Sequence, residues 1–69
     1  MSEGAAVVVV TPAQRKALLK LHSYADFKAW IAYPVVRQGL YIRGLAIPAS
    51  NQRSQLTKAG VDYVEEFLV

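Results

Sequence analysis

Apolar residues along the chain recur mostly at helical spacing. Over residues 12–21, Ala17, Leu18 and Leu21 form one stripe, while Arg15, Lys16 and Lys20 fall mostly off it. The start is marked by Thr11 at the N-cap, Pro12 at the first helical position and Gln14 three residues after Thr11, a capping box. A first helix is therefore predicted over 12–21. Ser23 and Asp26 repeat the start signal, and Phe27, Trp30 and Ile31 follow at i, i+3, i+4. That pattern predicts a short second helix ending by Tyr33, because the residue before Pro34 is pushed out of helical geometry. Phe27 and Trp30 then belong to the core, with an interface position open to Trp30, whose buried N–H would need a partner. Pro34 opens a third helix that runs to Arg43. Val35, Val36, Gly39, Leu40 and Ile42 gather on its apolar side, and Arg37, Gln38 and Tyr41 on the other. Gly44 is its natural stop. Gly39 inside this helix costs about 1 kcal/mol relative to Ala, which a close helix crossing would justify.

After Gly44 the pattern shortens. Residues 45–48 read as a strand, placed at an edge by Pro48. Residues 50–53 read as a turn and 54–56 as the returning strand. Thr57 caps a last helix, with Leu56 and Val61 at the spacing of a hydrophobic staple. Val61, Val64, Phe67 and Leu68 face inward, and Asp62, Glu65 and Glu66 form one outer face. At the other end, residues 1–6 read as a loose end. The four valines of residues 7–10 read as a strand, buried on both faces or at an edge that seeks a partner. There is no internal repeat or low-complexity linker.

Length changes this picture in one respect. The 69 residues make a single domain, 1–69. A chain of this size buries only about 60% of its unfolded surface. With no Cys and one His, it has neither a disulfide nor a metal staple, and 54% of its residues are hydrophobic. A homodimer is the expected remedy, with Val7, Val8, Val9 and Val10 as contacts, because a lone strand exposes backbone groups that seek pairing. The longest aliphatic run, residues 5–10, is far short of the ~20 needed to span a bilayer. A secretory signal is not expected either, since Glu3 and no cation precedes that run. The expected location is the cytoplasm, or the host cytoplasm if the chain is phage-encoded.

Charge is unevenly placed. Residues 11–58 hold all eight Lys and Arg against one acid, Asp26, while the flanks carry Glu3, Asp62, Glu65 and Glu66. A basic middle points to an anionic partner. The order Val36, Leu40, Arg43-Gly44-Leu45, a hairpin, then Leu56-Thr57, Gly60 and Tyr63 resembles the winged helix-turn-helix DNA-binding proteins, especially small phage and bacterial regulators. The resemblance covers residues 34–67. It implies a mainly α fold with a small β-sheet: three helices, a β-hairpin wing and a C-terminal helix, here with an N-terminal strand added. Members usually place a strand between their first two helices. The gap at His22-Ser23 is too short for one, so the valines are expected to replace it in the sheet or to pair across a dimer.

Under this resemblance, helix 34–43 enters the major groove and wing 45–56 touches backbone or minor groove. Arg37, Gln38 and Tyr41 would face bases or nearby phosphates, with Asn51 and Arg53 on the wing. Arg pairs bidentately with guanine and Gln with adenine, and Arg15, Lys16, Lys20 and Arg53 would neutralise phosphates. The expected function is a DNA-binding transcriptional regulator or architectural protein acting on duplex DNA. The alternative is a small phage-type interaction module that inhibits or recruits a host protein. Catalysis is not expected: no nucleophile has a base and an orienting group, and there is no phosphate loop or metal spacing. No cofactor, metal or small-molecule ligand is called for. His22 reads as a helix C-terminal residue that favours the negative dipole end.

Overall fold

Residues 9–69 are described by a computed structural model of the chain. The capping box forms as the sequence dictates. Gln14 N–H donates to Thr11 Oγ1 at 3.1 Å, and Thr11 N–H donates back to Gln14 Oε1 at 3.0 Å. Helix α1 (Pro12–His22) follows, and Ala17, Leu18 and Leu21 are buried along its inner side.

The predicted second helix does not form. Ser23 Oγ donates to the Lys20 carbonyl at 2.6 Å, so this residue closes α1 instead of capping a new helix. Asp26 Oδ1 accepts from Lys28 N–H at 3.1 Å, and Phe27 takes a left-handed backbone with φ 57°. These steps reverse the chain into strand β1 (Lys28–Ala29). The period that matters here is two. Ala29 and Ile31 are buried and Trp30 between them is exposed. Phe27 is half-buried, stacked on His22 with ring centroids 5.5 Å apart.

Helix α2 (Pro34–Ile42) ends as Gly44 requires. Gly44 has φ +73°, Leu45 N–H donates to the Leu40 carbonyl, and Gly44 N–H donates to the Tyr41 carbonyl, each at 3.0 Å. This is a Schellman stop with Leu40 and Leu45 both buried beside it. The hairpin strands are β2 (Ala46–Pro48) and β3 (Ser54–Leu56). The sheet is antiparallel in the order β1-β3-β2, so Pro48 does stand on an edge strand. Helix α3 (Lys58–Tyr63) is capped by Thr57, whose Oγ1 accepts from Gly60 N–H at 3.0 Å and donates to the Gly44 carbonyl at 2.7 Å. It runs on as a π-helical turn, Val64–Leu68. The wider turn rotates the end of the chain, which leaves Phe67 exposed although its spacing predicted an inward position.

The outcome is three α-helices against a small three-stranded sheet, mainly α with a little β as expected. The core is one cluster, in which Leu18, Leu21, Leu40 and Val64 are fully buried. Two helices, not three, precede the hairpin. The expected valine strand is not seen where it can be checked: Val9 and Val10 are outside any strand, and Val7 and Val8 lie outside the described residues, as do residues 1–6. Its place in the sheet is taken by β1, which pairs with β3 through Lys28 opposite Gln55 and Ala29 opposite Ser54.

Candidate nucleic-acid interface

Helix α2 is turned about its axis relative to the expected wheel. Val35 and Ile42, assigned to the apolar side, are 82% and 84% exposed. Arg37 and Tyr41, assigned to the outer side, are half-buried and held by polar bonds. Arg37 Nη1 donates to the Ile31 carbonyl at 2.6 Å. The Tyr41 hydroxyl sits 2.6 Å from Ser54 Oγ, on a residue with no exposed surface. Two polar anchors and the burial of Leu40 set the rotation, which a wheel that counts only apolar side chains misses. Of the three base-side candidates, only Gln38 is exposed. The outer face of α2 is therefore Val35, Gln38 and Ile42, with no cation among them.

The wing candidates have separate roles. Ser50–Gln52 forms a tight turn in which Asn51 and Gln52 both have positive φ, 59° and 61°. Two successive left-handed residues make a type I′ turn, and Asn is a preferred residue there. Asn51 is thus explained by the hairpin it closes. Arg53 stands at the end of that turn, exposed.

The cations meet elsewhere. Carried one residue on, the register of β1 and β3 sets Trp30 opposite Arg53. Cross-strand partners share a face, so Lys28, Trp30 and Arg53 lie on the outer face of the sheet while Ala29 and Ser54 point into the core. Lys20 arrives from α1, its ammonium donating to the Trp30 carbonyl at 3.1 Å. Together with Tyr24 and Asp26, these side chains line one open depression. Lys16 and Lys20 also border a second depression with Tyr33 and Val36. The result is a band of Lys16, Lys20, Lys28 and Arg53, interleaved with three exposed aromatic rings, Tyr24, Trp30 and Tyr33. Arg15 is exposed on α1 to one side of it. Lys28 was missed as a site residue, and Trp30 was given to the core with only an interface position left open, because the helix assigned to them hid their shared strand face. An alternation reading of residues 27–31 would have found it.

Apart from Asp26, no acid lines either depression. Asp62, Glu65 and Glu66 are exposed on α3 and the turn that follows it. Lys58 is paired with Asp62 at 3.1 Å, and His22 Nε2 lies 3.2 Å from Glu65 Oε2, so two positively charged or titratable groups face acids. Among the described residues no group of three or more His, Asp or Glu side chains is placed to hold a metal ion, and no helix is long and apolar enough to cross a membrane. At a significant level the chain matches no known protein family, no curated protein and no solved structure.

Proposed function

We propose that the protein binds DNA through the basic and aromatic band. The observation that carries this reading is the convergence of Lys20, Lys28 and Arg53, from α1, β1 and the hairpin turn, around the exposed Trp30 ring. Three cations from distant parts of the sequence meet at one depression, against the single carboxylate of Asp26. Asp26 already accepts the Lys28 N–H. Cations on a shared face attract phosphates and release their counterions, and aromatic rings between them offer apolar contact to sugars and bases.

In this reading the fold is a reduced winged helix. The β2–β3 hairpin is the wing, α2 precedes it, and β1 lies between α1 and α2, where the resembling proteins place a strand. The reading supports a small regulator or architectural protein, with contacts shifted from α2 to the sheet face and α1. A second reading, a protein partner or a second copy of the chain, is favoured by one observation: the exposed Val35 and Ile42 on α2.

Anisotropy of a labelled DNA fragment tests the proposal. If four cations contact phosphates, affinity should fall about a hundredfold between ~50 and ~200 mM salt. Binding that is absent at the lower salt, with light scattering showing a dimer that Val35→Asp disperses, would favour the second reading.

A further inference from the structure

We infer that the depression around Trp30 is a stacking site for an unpaired nucleobase, so that the preferred ligand is single-stranded DNA. This rests on the DNA-binding reading of the same band. It adds the strand form.

Trp30 is the sole tryptophan of the chain and is 56% exposed, although its residue type and spacing assign it to the core. Its indole has no hydrogen-bond partner among the described residues. The backbone beneath it, by contrast, is fixed. Trp30 follows directly on β1, its carbonyl accepts from Lys20 Nζ at 3.1 Å, and its neighbours Ala29 and Ile31 are buried. The ring is therefore carried on an anchored segment.

The ring's surroundings specify a ligand. Lys20, Lys28 and Arg53 border the same depression, and Tyr24 supplies a second half-exposed ring beside them. A flat aromatic surface flanked by cations suits a chain that alternates phosphates with exposed base faces. In a duplex those faces are stacked on each other and closed to the ring. In a single strand they are open, and each base stacked on an aromatic side chain contributes about 1–3 kcal/mol.

The α2 face that would enter a major groove carries Val35, Gln38 and Ile42, with no cation to lead it to the phosphates. Lys28 and Arg53 sit on the sheet face with Lys20 of α1 beside them, where an extended strand can lie across β1 and β3.

The test uses intrinsic fluorescence, because Trp30 alone supplies the tryptophan signal. The full chain is titrated with oligothymidylate of about 12 nucleotides, a length within known single-strand site sizes. A hairpin duplex is the comparison, and anisotropy of the labelled oligonucleotides reports affinity separately. The expected result is strong quenching by oligothymidylate and tighter binding of it than of the duplex. Trp30→Ala should lower single-strand affinity about tenfold or more and erase that preference, while Trp30→Phe keeps most of it. Circular dichroism of both variants checks that the fold is retained. Equal binding of both forms with no quenching and a silent Trp30→Ala overturns the stacking site and leaves DNA binding standing. Failure of both forms to bind removes the DNA-binding reading itself.

Discussion

The Tyr41 hydroxyl lies 2.6 Å from Ser54 Oγ and ties α2 to the central strand of the sheet. Ser54 is fully buried, so its hydroxyl has no water to turn to. Tyr41→Phe strands that hydroxyl and should cost about 1–3 kcal/mol of stability. Adding Ser54→Ala removes the stranded group and should recover part of the loss. Urea unfolding of the wild type, both single variants and the double variant measures this. A double variant as unstable as the sum of the singles would mean that the two hydroxyls do not act as a pair. DNA affinity of the folded Tyr41→Phe protein should be unchanged, in contrast to the base-facing role its wheel position suggested.

Arg37 makes the same point through a charge. Its guanidinium donates to the Ile31 carbonyl at 2.6 Å, across the connection that joins β1 to α2. The group is half-buried, so solvent weakens the bond. Arg37→Ala should cost about 1 kcal/mol in stability. If Arg37 read guanine instead, the loss would appear as relaxed sequence preference with unfolding unchanged.

Much of the frame was legible in the sequence, because local chemistry dictates it. Thr11 with Gln14, Gly44 and Thr57 each carry their instruction in the residue itself, and all three caps formed where expected. The β2 and β3 segments were legible for a similar reason, since Pro48 and the polar run after it leave few alternatives. What failed depends on partners far away in sequence. Residues 28–29 became a strand because β3, some 25 residues later, offers a free edge. Ser23 and Asp26 fit a helix start equally well as a helix end and an Asx turn, and only that pairing decides between them. The rotation of α2 was hidden because Arg37 and Tyr41 are polar but anchored inward. The candidate site suffered from both errors: it lies on the face of a strand that was read as a helix, and Gln38 alone remains exposed on the helix that was read as the reader of bases.

The hairpin tip stores strain that can be relieved. Gln52 has φ 61°, in the left-handed region that disfavours residues with a Cβ. Glycine is preferred at this second central position of a type I′ turn. Gln52→Gly should therefore stabilise the fold by about 1 kcal/mol, after allowance for the extra freedom of Gly in the unfolded chain. Thermal unfolding checks the sign. A destabilised variant would mean that the Gln52 side chain makes a contact worth more than the strain.

Placement of charge, not its sum, should govern DNA binding, and two lysines separate the two ideas. Lys28→Ala and Lys58→Ala remove the same charge. Lys28 stands on the sheet face beside Trp30 and Arg53. Lys58 lies on α3, exposed and paired with Asp62 at 3.1 Å. A pair that exposed contributes little to stability, so Lys58→Ala should fold as the wild type does, and circular dichroism checks that Lys28→Ala does too. If the band binds phosphates, Lys28→Ala should weaken binding to every sequence alike and lower the salt slope by about one. Lys58→Ala should leave both affinity and slope close to wild type, because its charge is paired with Asp62 and lines neither depression of the band. Arg53→Ala should behave as Lys28→Ala does. Anisotropy titrations at three or more salt concentrations give the slopes directly. Equal losses in Lys28→Ala and Lys58→Ala would show that net charge alone draws the DNA, and the band would lose its claim to be the interface.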